Sequence, residues 1–232
     1  MTITSQVPER SQAGESRRRS QPEAQRTPLS RDRIVEAALD YIDQHGLDAL
    51  SMHKLGGELG VKGMSLYNHV ANKDDVLDGV VELLWAEVEQ SAPPMSDWVQ
   101  GVRSFARAMR AMVRRHANAA PLIISQSFMP QPALRVVQAH ATAIARGGAG
   151  NDQAYALLRT VTSYTLGSAF NEVSWGRGDP ACAPTVSDLL RPGTPDDLAA
   201  VANVFCGQYD YDAEFELGLD LMLRGVEAGV GH

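Results

Sequence analysis

The sequence is short of the features that mark secreted, metal-holding or membrane-embedded chains. Only two cysteines, Cys182 and Cys206, occur in 232 residues. They share no metal-ligand spacing and make no disulfide framework. No run of about 18 apolar residues is present, which argues against a membrane span. The arginines near the N-terminus are followed by no apolar stretch, so a signal peptide is not expected. A cytoplasmic protein with no metal and no cofactor is the plain reading. No segment alternates as a strand would, and no internal repeat is found. There is also no H-E-x-x-H, no E-x-x-H pair and no nucleophile elbow. An α-helical enzyme is therefore only a remote alternative.

A strong basic patch is missing too. The net charge is −7, which by itself argues mildly against a nucleic-acid binder. The charge is uneven, however. Residues 1–75 hold ten Lys/Arg and eleven Asp/Glu, against eleven and seventeen in the remainder. The front third is close to neutral and the rest acidic, which weakly favours a DNA contact at the front.

What is present is enough to fold. Hydrophobic residues make up 44% of the chain, and the length suits one large domain or two modest ones. Residues 1–28 are the exception: rich in Ser, Gln, Arg, Glu and Pro, they cannot bury enough surface to offset ordering and are expected to be disordered. Arg17-Arg18-Arg19 there are either a groove-reaching arm or a solvated tail.

From Leu29 the pattern is helical. Ser30 can cap a helix carrying Ile34, Val35, Ala38, Leu39 and Ile42 on the 3.6-residue period, and Gly46 can stop it. Ser51 can cap a second helix through Met52, Leu55 and Leu59, ended by Gly60. A third is expected over about 62–69. Asn72 can cap a fourth, with Asp74 and Asp75 at its positive end. Pro93-Pro94 marks a boundary. Long helices follow over about 96–116, 132–147, 151–176 and 211–228, with a long Pro/Gly loop at 177–195. The fold class is all-α.

Three short helices with a tight glycine turn between the second and third match the helix-turn-helix plan, a pattern that an ordinary three-helix bundle largely shares. Leu55, Leu59, Val61, Leu66 and Val70 would lock two helices at a steep angle, with Gly60 supplying the positive φ of the turn. The third helix would then offer Lys62, Gly63, Ser65, Asn68 and His69 to a major groove, its small first residues letting the backbone approach. Asn pairs with adenine, Lys with guanine or phosphate, and Ser and Tyr with phosphate.

The stretch from Ile34 to Leu84, and above all SLYNHVANKDDVLD, resembles the DNA-binding domain of the tetracycline-repressor (TetR) family of transcriptional regulators. Carried over by position, the resemblance implies DNA contacts from Ser51 and His53 in the second helix. It implies a recognition surface of Lys62, Gly63, Ser65, Tyr67, Asn68 and His69, and a phosphate grip from Lys73. Tyr67 reads as a phosphate-contacting or packing aromatic. His69 reads either as a base contact or as a hydrogen bond at the backbone junction. Met64 is open to a thymine methyl or to packing down.

SYTLGSAFNEV (163–173) and FELGLDLMLRGVE (215–227) resemble two helices of the C-terminal domain of the same subgroup, where such helices form a four-helix dimer interface. Phe215, Leu219, Met222, Leu223 and Val226 make an apolar stripe, with Gly218 and Gly225 one heptad apart. The stripe is therefore expected at a homodimer interface, the alternative being an intramolecular core. Phe105, Met109, Met112, Phe128, Tyr164 and Trp175 are soft or aromatic candidates for a ligand pocket, with His116, Gln126, His140 and Asn171 as polar ones. Drug–magnesium binding in the tetracycline repressors uses a histidine and a carboxylate. Here Ile123 and Asn171 fall at those positions, with His116 and Glu172 nearby, so the expected inducer is a different apolar or aromatic small molecule.

The expected organisation is a disordered arm (1–28), a helix-turn-helix domain (29–75) and a ligand-binding and dimerisation domain (76–232), joined by a connecting helix at about 73–90. The expected function is a homodimeric repressor of palindromic operator DNA, released by a small-molecule inducer. A DNA-binding activator or a ligand-independent regulator stays open beside it.

Overall fold

The computed structural model describes residues 28–125, 128–176, 185–205 and 210–230, and no strand occurs among them. Residues 1–27, Gln126 and both cysteines lie outside the described residues.

The first helices begin and end where local chemistry dictates. The Ser30 hydroxyl accepts the Arg33 amide at 3.2 Å and opens α1 (Arg31–His45), whose buried face is Ile34, Val35, Ala38 and Ile42. Gly46, at φ +84°, ends it. After a 3-10 turn at Leu47–Ala49, Ser51 caps α2 (Met52–Glu58) by accepting the Lys54 amide at 3.3 Å. Gly60 takes φ +67° and turns the chain into α3 (Gly63–Leu66). This helix is shorter than the expected 62–69. The Leu66 carbonyl accepts both His69 N–H (2.9 Å) and Val70 N–H (3.1 Å), so the chain tightens into turns after one helical turn. Asn72 then caps α4 (Lys73–Ser91), accepting the Asp75 amide at 2.8 Å, while Asp75 reaches back to the Ala71 amide at 2.9 Å. Two orphan donors are thereby satisfied reciprocally.

The body comprises α5 (Trp98–Arg115), α6 (Leu122–Ser125), α7 (Gln131–Arg146), α8 (Asn151–Gly176), α9 (Val186–Leu189), α10 (Asp196–Phe205) and α11 (Tyr211–Val230). Three of these differ from the expectation, α6 being a single turn at Leu122–Ser125 where no helix is expected. Part of the supposed loop at 177–195 is the single turn α9, opened by a Thr185–Asp188 capping box. Helix α10 was not anticipated at all, because it buries no residue and its apolar positions trace no core face.

Helix α4 packs on α1 along one side and on α5 and α7 along the other. Its Val76, Val80, Leu84 and Val88 are fully buried. One continuous core therefore runs from Ile34 to Leu223. At about 1.5–3 kcal/mol per buried large apolar side chain, this shared core ties the front helices to the body more firmly than any surface contact does.

Along α5, Arg103, Arg107, Arg110 and Arg114 lie on one flank and meet acidic residues of α8 and α11. Arg107 is bidentate to Glu216 at 2.6 and 2.8 Å, and Arg103 pairs with Asp220. The pair of Arg110 and Glu172 is buried, at 2.9 Å, with Asp212 at 2.7 Å from Arg110 and the Phe215 ring beneath its guanidinium.

Candidate nucleic-acid interface

The geometry of the front end rests on two glycines that touch. A Cβ on Gly56 would lie 2.7 Å from the Gly63 amide nitrogen, and one on Gly63 would lie 2.9 Å from the Met52 carbonyl oxygen. Helices α2 and α3 are pressed together backbone to backbone. The glycine at 63 is therefore required by its packing on α2, a reason beyond the expected one that it keeps the helix slim for the groove. Gly56 went unnoticed in the sequence, although a G-G pair inside a short helix is itself an unusual cost in helix propensity. Below this contact, Leu55 and Leu66 are fully buried and Val70 nearly so.

With its inner side fixed, α3 and the turn after it present the other side to solvent. Lys62, Met64, Tyr67, Asn68 and His69 are exposed, Met64 at 77%. Gly63 and Ser65 are half-buried between them. His53 is exposed on α2, while Ser51 is half-buried and occupied in capping. Lys73 opens α4 and is half-buried. The polar ends of His53, Lys62, Tyr67, Asn68, His69 and Lys73 make no hydrogen bond or ion pair among the described residues. A cluster of unpartnered donors on a rigid, slim support suits contact with phosphates and base edges. Behind it, Arg31 holds Asp75 at 3.1 Å and Glu82 at 3.3 Å. The Ala71 amide, with Arg31, lowers the Asp75 carboxyl below its ordinary range.

A glycine-locked helix pair under an unpartnered polar face is the build of a DNA-reading head, and sequence comparison agrees. Residues 34–80 match the family model of bacterial regulatory proteins of the tetR family, and residues 90–230 match that of the tetracyclin repressor-like C-terminal domain. The chain belongs to the TetR family. It is a DNA-binding transcriptional regulator and not an enzyme. An HTH-type transcriptional regulator of Saccharopolyspora erythraea is 30% identical over 204 residues, spanning 88% of this chain and 86% of the relative. The Escherichia coli tetracycline repressor protein class A from transposon 1721 is 28% identical over 214 residues, 86% of this chain and 91% of that one. The crystal structure of Streptomyces coelicolor ActR in complex with actinorhodin superposes with a TM-score of 0.73 at 29% identity. It covers 89% of this chain and 100% of that one. Among the described residues no helix is long and apolar enough to cross a membrane.

The sequence candidates for a ligand pocket are not brought together as one in this TetR-family chain. Phe105, Met109 and Met112 are fully buried core. His140 is buried too: its Nδ1–H donates to the Val136 carbonyl at 2.9 Å, its ring leans on Phe105, and burial lowers its pKa. Tyr164 stacks on Phe215 and donates to the carbonyls of Glu214 and Phe215, burial raising its pKa. Phe128 sits on the surface, 39% exposed. His116 lies at the far end of α5, between α1 and α4. The side chain of Trp175 and all of Gln126 lie outside the described residues. Asn171 borders a depression of about 740 Å³ between α8, α10 and α11 that it shares with Val201, Val204, Phe205 and Glu214.

The residues do not fit the drug-bound magnesium of the tetracycline repressors. Both carboxylate oxygens of Glu172 are held by Arg110 and Arg114, and a carboxylate clamped between guanidiniums repels rather than recruits a dication. His116 has both ring nitrogens against carboxylates.

The proposed interface stripe also needs correction. Phe215, Leu219 and Leu223 are buried inside the single chain, and Met222 and Val226 pack against the same core. Gly218 is small to receive the Tyr164 ring rather than a partner helix, whereas Gly225 has open space around it. The stripe faces α5 and α8 of its own chain. The opposite face of α11 is the exposed one, with Leu217 at 61% and Leu221 at 65%.

Proposed function

We propose that this chain is a homodimeric repressor that binds palindromic operator DNA and is released by a small molecule. The exposed, unpartnered set at Lys62, Tyr67, Asn68 and His69 carries the reading. A two-fold dimer would present this set twice, matching two half-sites. For the dimer contact we infer the outer face of α11, with Leu217, Leu221 and Gly225. Beside it would lie the small exposed residues Ala156, Thr160, Ser163 and Gly167 of α8, which permit close helix approach. For the inducer we infer an apolar or aromatic molecule seated in the depression beside Asn171. There Val201, Val204 and Phe205 would supply the apolar wall and Asn171 and Glu214 the polar one. Binding there would bias the body, and through α4 the spacing of the two heads, by its differential affinity for the two arrangements.

The test is a titration of promoter DNA with wild type and Tyr67→Ala. Wild type should bind tightly and lose affinity as salt rises. The variant should lose binding while remaining dimeric by sedimentation. Equal affinity of the two proteins would defeat the assignment of this face.

A further inference from the structure

One ring joins three helices that belong to different parts of the molecule. His116 follows α5 directly, its amide donating to the Met112 carbonyl at 2.9 Å. Its Nδ1 lies 2.6 Å from Asp43 Oδ2 on α1, in the DNA-binding head. Its Nε2 lies 3.0 Å from Glu87 Oε2 on α4, the helix linking head to body. The ring is 11% exposed.

Ionised carboxylates only accept hydrogen bonds. Each of these contacts therefore needs an N–H on the ring, and both together need the imidazolium. A neutral imidazole has one N–H, so one of the two contacts would set a lone pair against a carboxylate. Asp43 contributes a negative charge from α1 and Glu87 one from α4, and the carbonyl end of α5 adds a partial one. Arg115, next in sequence, is engaged with the other oxygen of Glu87 at 2.8 Å. Asp43 depends on the ring more than Glu87 does, since its second oxygen is buried with no partner. The Asn118 amide donates to the Asp43 backbone carbonyl at 2.9 Å and leaves the carboxylate untouched.

We propose that His116 is a proton-dependent clasp between the DNA-binding head and the body, closed at both ends when the ring carries two protons and open at one end when it carries one. The clasp stands on the geometry alone; its consequence for operator affinity rests on the repressor reading above. Histidine is the side chain whose charge ordinarily changes in the physiological range. A closed clasp holds the end of α1 against the end of α5, so the head keeps one orientation and the pair of heads keeps one spacing. A released clasp lets α1 shift on α4, which weakens binding to an operator of fixed half-site separation.

The experiment compares full-length wild type, His116→Gln and Asp43→Asn at pH 6.0 and 8.5. The first readout needs no DNA: amide hydrogen exchange over Ile42–Gly46, corrected for the intrinsic pH dependence of exchange. Wild-type protection there should be about tenfold greater at pH 6.0 than at 8.5, the scale of one charge-assisted hydrogen bond. Both variants should show the same protection at the two pH values. The second readout is affinity for a duplex enriched by wild type from a random pool. It should fall several-fold from pH 6.0 to 8.5 in wild type and much less in the variants. The other five histidines are the same in all three proteins, so the comparison isolates His116. A wild-type exchange profile that runs parallel to that of His116→Gln would overturn the clasp. If exchange behaves as expected but no duplex is enriched, the clasp stands and the repressor reading fails.

Discussion

Adding one methyl group at each of two neighbouring glycines in α2 should move stability in opposite directions. A Cβ at position 56 would meet the Gly63 nitrogen at 2.7 Å, the Gly63 Cα at 2.9 Å and the Val61 carbonyl oxygen at 3.0 Å. All three are backbone atoms, and none can rotate aside. The same methyl at position 57 would meet nothing within 4 Å. Ala gains about 1 kcal/mol over Gly inside a helix, and less near the end of a short one. Overpacking costs about 1–3 kcal/mol, and a rigid backbone neighbour belongs at the upper end. Gly56→Ala should therefore destabilise by about 2 kcal/mol, and Gly57→Ala should stabilise by about 0.5 kcal/mol. The measurement is denaturant unfolding at one fixed protein concentration, because stability of a dimer depends on concentration. To make room, Gly56→Ala must push α3 outward, so its operator affinity should drop even where the protein is fully folded. Equal shifts of the two variants in one direction would refute the argument that α2 and α3 are locked through their backbones.

Three further outcomes follow from other parts of the molecule. Glu172→Ala should cost about 2 kcal/mol in unfolding free energy, because it leaves the buried Arg110 guanidinium with only the exposed Asp212 as carboxylate partner; Glu172→Ala with Arg110→Met should recover most of that. Burial lowers the His140 pKa, so its contribution is present above the unfolded value near 6.5 and is lost as pH falls below it. The wild type should accordingly lose more stability between pH 7 and pH 5 than His140→Phe does in the same melting series. Leu221→Arg should dissociate the dimer at micromolar concentration by sedimentation with little loss of helix signal, whereas Leu219→Arg should unfold the chain, since Leu219 is fully buried.

The head of the molecule was legible because its determinants are local. Ser30, Ser51 and Asn72 cap the helices they precede in sequence, and Gly46 and Gly60 take the positive φ that a turn at those points demands. Hydrophobic spacing placed Leu55, Leu66 and Val70 inside, and left Tyr67, Asn68 and His69 outside by subtraction. Elements without an inward-facing period are not legible in this way. Helix α10 carries Val201, Val204 and Phe205 exposed, so no inward-facing period announced it.

The sequence by itself determined that the chain is helical, where its head begins and turns, and which side chains that head leaves on its surface. Those properties depend on caps, glycines and periodicity within a few residues. Only the tertiary structure decided what each apolar stripe and each charge is paired with. The stripe through Phe215, Leu219 and Leu223 records that a helix face is covered, not which chain covers it, and packing assigned it to the chain's own core. Likewise Arg110 meets Glu172 across 62 residues and His116 meets Asp43 across 73. No local rule joins partners that far apart; the close packing of α1, α4, α5, α8 and α11 does.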